Sequence, residues 1–276
     1  VVLMSGLVAF VWGQPSDIVK PALPPDPEVM AVLGGLQDNN SAILPALNTV
    51  GEWNDVTRKY KMHKTGPRGR DYTIKAVWMP DRKRSFFCGA NHGAPHRLND
   101  AWEFDLPSHT WVMLFAPDPN QTKGVKKIVE GDILDADGKV LDTVKYVQTE
   151  RGGPVHLGHT WWGLAYDPHM KAALWMKTAI AGSSAGHIKN VLGSAEGVYG
   201  GPPLWAFYPY EGRWKKILTS KPRPKAIYAG AMEYVLELGG VFWYAAQWNG
   251  PGMYVYKAES NIWRNLKPKT TDGRSV

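Results

Sequence analysis

A unit that recurs three times constrains this chain more than any other feature. The clearest copies are Ala101-Trp102-Glu103-Phe104-Asp105 running through a turn to Trp111, and Leu204-Trp205-Ala206-Phe207-Tyr208 running to Trp214. The third is Met253-Tyr254-Val255-Tyr256-Lys257 running to Trp263. Residues Gly51 to Val56, with Trp53, form a partial fourth copy. Each copy is an aromatic strand, a polar turn and a second strand that opens on tryptophan. Trp102 and Phe104 alternate with Glu103 and Asp105, the period-two signal of a half-buried strand. Internal repetition of this kind sets the architecture before any local reading does.

A second hairpin precedes each copy. Val77-Trp78-Met79 turns at Pro80 to Lys83 into Ser85-Phe86-Phe87, and Leu164-Ala165-Tyr166 turns at Asp167 to Lys171 into Ala173-Leu174-Trp175. Tyr234-Val235 turns into Val241-Phe242-Trp243. Four strands, a to d, make one antiparallel unit of up-and-down topology. The 29 glycines, 21 prolines and 13 tryptophans suit short strands and frequent turns rather than long helices. The expected fold is all-β: a partial β-propeller of about three four-stranded blades plus one extra strand.

On the aromatic pairs ending in Trp111, Trp214 and Trp263, the doublet Gly239-Gly240 and the run Tyr166-Asp167-Pro168, the chain resembles the kelch-type propellers, including the galactose-oxidase-like ones. The resemblance covers roughly residues 45–267. Trp214 and Trp263 stand 49 residues apart, against a kelch period of about 50. Trp53 to Trp111 spans 58 residues and Trp111 to Trp214 spans 103, so the middle unit is expected to carry insertions. The expected boundaries are a lone outer strand at about 51–56 that belongs to another blade, and blades at 72–114, 159–217 and 226–266. Insertions fall at 118–155 and 177–203, and 268–276 begins a continuation. The resemblance implies an interaction platform. It also raises a copper oxidase, but such sites use two tyrosines, two histidines and a Tyr–Cys crosslink. No Tyr-His pair is adjacent in this chain, and its single cysteine, Cys88, closes an apolar strand where an inert buried thiol is expected.

Residues 1–13 form an apolar run too short to span a bilayer, where about 20 residues are needed. They read as the remnant of a signal peptide with cleavage before Gln14, which makes the protein secreted, periplasmic or resident in the cell envelope. Residues 14–45 read as a linker with one helix from Asp26 to Gln37, opened by Asp26-Pro27-Glu28. With one cysteine there is no intrachain disulfide framework, and stability must come from packing.

The net charge of +7 is concentrated. Residues 58–84 hold ten Lys/Arg against Asp71 and Asp81. Arg58, Lys59, Lys61, Lys64, Arg68 and Arg70 are candidate contacts to a polyanion. Arg82, Lys83 and Arg84 read as a solvated turn.

Topology gathers a further set. In an up-and-down meander the b–c and d–a connections leave one end of each blade. His63, His92, His96, His156, His159 and His187 fall there, six of the eight histidines. Candidate ligand-binding residues are Asn91, His92, His96, Arg97, His156, His159, Gln247, Trp248 and Asn249, with Trp248 suited to stacking on a sugar ring. His92, His96, His156 and His159 are candidate copper or zinc ligands. The sequence thus points to a binding module for a carbohydrate, polyanionic or protein partner; the rival reading is a metal-dependent oxidase or lyase using the rim histidines. Two other motifs lose force in context. Gly182-Ser183-Ser184-Ala185-Gly186 has the spacing of a nucleophile elbow but interrupts an antiparallel blade rather than a parallel sheet. Asp135 to Gly138 lacks the calcium-loop acids and reads as a hairpin over about 125–149, with a type I′ turn at Asp137-Gly138.

Overall fold

The computed structural model describes residues 23–67, 70, 73, 75–89, 98–118, 126–155, 157, 160–176, 193–194, 196–224, 230–245 and 252–267. The described chain begins with helix α1 (Pro27–Gly34), strand β1 (Asn48–Val50) and two single-turn helices, α2 (Asp55–Lys59) and α3 (Met62–Thr65). A first sheet follows: β2 (Val77–Met79), β3 (Arg84–Phe87), β4 (Ala101–Asp105) and β5 (Thr110–Phe115). After a hairpin of β6 (Lys126–Leu134) and β7 (Val140–Thr149) comes a second sheet: β8 (Leu164–Asp167), β9 (Ala172–Met176), β10 (Leu204–Tyr208) and β11 (Arg213–Lys216). The third is β12 (Ala231–Val235), β13 (Gly240–Ala245), β14 (Gly252–Lys257) and β15 (Ile262–Asn265). Each sheet is an antiparallel meander in chain order, as partial propeller blades require.

The repeated aromatics are cross-strand partners. Phe104 stands opposite Trp111, Phe207 opposite Trp214 and Tyr256 opposite Trp263. Their ring centroids lie 4.9, 5.1 and 5.3 Å apart, the range in which tilted aromatic pairs attract. The turns repeat as well. All six a–b and c–d hairpins have four residues between strands, and the last of each is left-handed: Lys83, His109, Lys171, Gly212, Gly239 and Asn261. Only after Gly239 is the left-handed turn residue followed by a second glycine, Gly240. There a Cβ on Gly240 would sit 2.3 Å from the Tyr256 carbonyl oxygen, so the second glycine lets β13 approach β14.

Two apolar interfaces stack the sheets. Val77, Met79 and Phe86 of the first sheet meet Tyr166, Phe207 and Trp214 of the second, with Phe86 and Phe207 stacked at 5.3 Å. Ala165, Leu174 and Ala206 of the second meet Met232, Trp243 and Trp263 of the third. Small residues on the second sheet leave room for the two tryptophans. Strand β8 contacts both β2 and β12, and parallel bridges Thr73–Trp161 and Trp162–Ala231 link their approaches. The three a strands therefore line the inside of the partial ring.

Several expectations are corrected. The extra strand is β1, three residues ahead of the 51–56 stretch, and it pairs in parallel with β5 of the first sheet rather than joining another blade. Residues 55–59 are helical because the Asn54 side chain accepts from the Thr57 amide and caps α2. Trp53, Val56 and Met62 then cover Trp102, Trp111 and Met113 on the face of the first sheet turned away from the second. Helix α1 has the expected cap, Asp26 accepting from the Glu28 and Val29 amides, but stops at Gly34. The β6–β7 hairpin forms where expected, yet only Gly138 has a positive φ. Its turn is therefore a type I turn followed by a left-handed glycine and a register shift at Ile133/Leu134, not type I′. The Asp135 side chain fixes it by accepting from the Asp137 and Lys139 amides.

The largest correction concerns charge. Glu103 and Asp105 alternate with Trp102 and Phe104 as expected, but their face is buried too. Arg82 grips Glu103 through two hydrogen bonds of 2.8 Å. Arg84 contacts Glu103 and donates to Asp105 at 2.9 Å. Arg82 and Arg84 are thus internal counter-ions, not a solvated turn.

Candidate functional site

Inside the ring, period two decides what is left uncovered. Val77 and Met79 enter the interface between the first two sheets, so Trp78 between them faces the other way and is 56% exposed. It lines a cleft of about 330 Å³ together with Lys75, Pro80, Tyr166, Glu233 and Tyr234. These residues come from all three sheets or the segments leading into them. Lys75 reaches from the approach to β2 across to β12, donating to the Glu233 carboxylate at 2.5 Å and to the Met232 carbonyl at 2.7 Å. The two charges are unequally exposed: the Lys75 side chain is 14% exposed and that of Glu233 is 64% exposed. An open cleft lined by aromatic and apolar surface with a few convergent polar groups is the usual form of a small-ligand site.

One wall of the cleft is held rigid. The Tyr166 hydroxyl donates to Asp81 at 2.6 Å and the Tyr210 hydroxyl to the other Asp81 oxygen at 2.8 Å, clasping the first sheet's a–b turn to the second sheet. Desolvation acts to raise the Asp81 pKa, but the two phenol donors, a backbone hydrogen bond and nearby Lys171 together outweigh it and hold the carboxyl below its ordinary value. Burial, with Asp81 beside it, pushes the Tyr166 phenol up, so Tyr166 remains a donor across the neutral range. Arg82 stacks over the Tyr210 ring at 4.7 Å. A second concavity of about 350 Å³, between Lys171, Tyr208, Tyr210 and Glu211, lies at the turns of the second sheet alone.

Asn91, His92, His96, Arg97, His156, His159, Gln247, Trp248 and Asn249 all lie outside the described residues, as do Arg68, His187 and residues 182–186. Among the described residues no group of three or more His, Cys, Asp or Glu could hold a metal ion. Of the candidate polyanion contacts, Arg58, Lys59, Lys61 and Lys64 are exposed on α2, α3 and the residues between them. Arg70 is not a surface cation. It is 5% exposed, binds the Gly89 carbonyl and pairs with Asp100, which also accepts from the Trp102 indole at 2.6 Å. Cys88 is fully buried, and desolvation pushes its thiol up, as an inert cysteine should be. Sequence reading passed over the cleft. The signal for it was Trp78, an aromatic out of phase with the two core residues beside it.

Lys216 ends β11 beside the Tyr199 and Trp205 rings and donates to the Pro202 and Leu204 carbonyls, each at 2.9 Å. No carboxylate pairs with it among the described residues. Desolvation holds its amine well below its ordinary value of 10.5. The folded protein then binds fewer protons here than the unfolded chain, so this group makes stability rise with pH up to the ordinary lysine range. Both carbonyls also accept from backbone amides, of Leu204 and Ile217. Replacing Lys216 with methionine is therefore expected to raise stability at pH 7 and to flatten its rise with pH, compared at pH 7 and 9. Thermal unfolding of both proteins at the two pH values checks this; a variant that loses stability at pH 7 contradicts it.

Fold and cleft together define a partial propeller with a ligand-sized groove along its inner strands. No family model and no curated protein matches the sequence. Among solved structures the chain is similar to TolB from Acinetobacter baumannii, with 10% identity and a TM-score of 0.26 over 64% of this chain and 42% of that one. The chain thus spans less than half the length of that protein.

Proposed function

We propose that this chain is an exported interaction module of the kelch-like propeller type, which binds its ligand in the inner-strand cleft. The observation that carries the reading is Trp78, a large aromatic left half-exposed on a rigid strand beside a polar pair. Exposed tryptophan forgoes about 1.5–3 kcal/mol or more of burial, which makes it informative where it lines a concavity. The kelch reading is supported by three cross-strand aromatic pairs and six equivalent four-residue turns. The basic surface of Arg58, Lys59, Lys61 and Lys64 supplies further contact area. The test is a binding screen of soluble oligosaccharides and peptides, read by tryptophan fluorescence and calorimetry on wild type and Trp78→Ala. At least one class should bind and lose tenfold or more in the variant. Binding that Trp78→Ala leaves unchanged would move the site off the cleft.

A further inference from the structure

Resting on that reading, we infer that the cleft takes a neutral saccharide, held by stacking on Trp78 with a vicinal diol across Lys75 and Glu233. A lysine ammonium has three N–H donors. Two of those of Lys75 are committed, to the Met232 carbonyl and to Glu233 Oε2. Glu233 Oε1 has no protein partner among the described residues, and its side chain is largely exposed. A free donor and a free acceptor therefore stand side by side, about one hydrogen-bonded pair apart. Two neighbouring hydroxyls on a sugar ring answer this pattern, one accepting from Lys75 and the other donating to Glu233. The apolar face of the same ring answers the flat indole, and Pro80 and Tyr234 give the groove further hydrocarbon wall.

Charge selects within the class. The ammonium is mostly covered and neutralised, whereas the carboxylate is the more exposed of the two. The field met by an arriving ligand is that of Glu233, which disfavours uronates and other anionic sugars. The polyanion reading belongs to the α2–α3 surface and not to this cleft. A peptide would need a ladder of free backbone groups or separate side-chain pockets, and the cleft offers one ring and one donor–acceptor pair.

The experiment titrates neutral gluco-, galacto- and manno-configured trisaccharides, their uronic acid counterparts and a peptide panel into the full chain. Wild type, Trp78→Ala, Trp78→Phe and Glu233→Gln are compared, each first checked for an unchanged melting temperature. A neutral trisaccharide is expected to bind, with a tenfold or greater loss in Trp78→Ala, partial retention in Trp78→Phe and a several-fold loss in Glu233→Gln. Uronates should bind wild type more weakly than their neutral counterparts, and Glu233→Gln should narrow that difference. Trp78-dependent binding of peptides with no saccharide binding would overturn the saccharide assignment and leave the binding module standing. No Trp78-dependent binding of any probe would overturn both.

Discussion

Glu103→Gln should lower folding stability by about 3–5 kcal/mol, because it takes a buried carboxylate away from two largely buried guanidinium groups. Glu103 is fully buried, and the side chains of Arg82 and Arg84 are 5% and 6% exposed. A glutamine of the same shape offers one oxygen where two were used, and its amide nitrogen confronts a cation. Arg84 retains Asp105, and Arg82 retains the Tyr210 ring. The damage should therefore concentrate where the turn after β2 meets the second sheet. Thermal unfolding is the measurement, with an expected drop of roughly 10 °C for a domain of this size. A drop below about 2 °C would mean that the arginines reach solvent in the folded state. The double variant Glu103→Gln with Arg82→Met should recover part of the loss, since it removes one of the two cations that lost the carboxylate while Arg84 keeps Asp105.

Trp214→Ala is the second large effect, and its size should set it apart from the same change at Trp111. Trp214 is 5% exposed, lies between Phe207 and Trp175, and donates from its indole to the Asn99 carbonyl across the interface of the first two sheets. Truncating it opens a cavity between sheets and removes that hydrogen bond, with an expected cost of about 3–5 kcal/mol. Trp111 holds the equivalent place but is only partly buried, covered by Gly66 and Phe87 on the first sheet's outward face. Trp111→Ala should cost about half as much, because water can enter the gap. Denaturant unfolding of both variants tests the ordering, and equal losses would contradict it.

How much of this was readable in the chain depended on distance along it. The aromatic pairs are separated by only seven residues and a turn, so their strands, partners and register followed from local pattern. The same holds for the Asp26 cap and the β6–β7 hairpin. Strand β1 has only three residues, Asn-Thr-Val, with no apolar period, and its parallel partner β5 comes after the rest of the first sheet. Arg82 and Arg84 looked like surface charge because their partner stands 19 to 21 residues later, on a strand whose polar face was expected to meet water. A run of alternating acids opposite alternating arginines was the available signal. The cleft was least legible of all. Lys75 and Glu233 are 158 residues apart, and nothing short of the stacking of three sheets brings them together. The loop residues expected to form the site lie outside the described residues.

The six uniform turns divide the labour of the molecule between its two ends. At one end every hairpin spends four residues and closes through a left-handed position, so length there is fixed by geometry. At the other end the links from β3 to β4, β9 to β10 and β13 to β14 contain 13, 27 and 6 residues. Such a chain can lengthen or exchange the interior of the second set, provided that anchors near its ends such as Cys88, Asn99 and Tyr199 are kept, because these enter the core or bond across the sheets. The groove along β2, β8 and β12 belongs to neither end. For engineering, this means that inserts grafted into those links can add new specificities while the cleft serves as an unaltered internal reference.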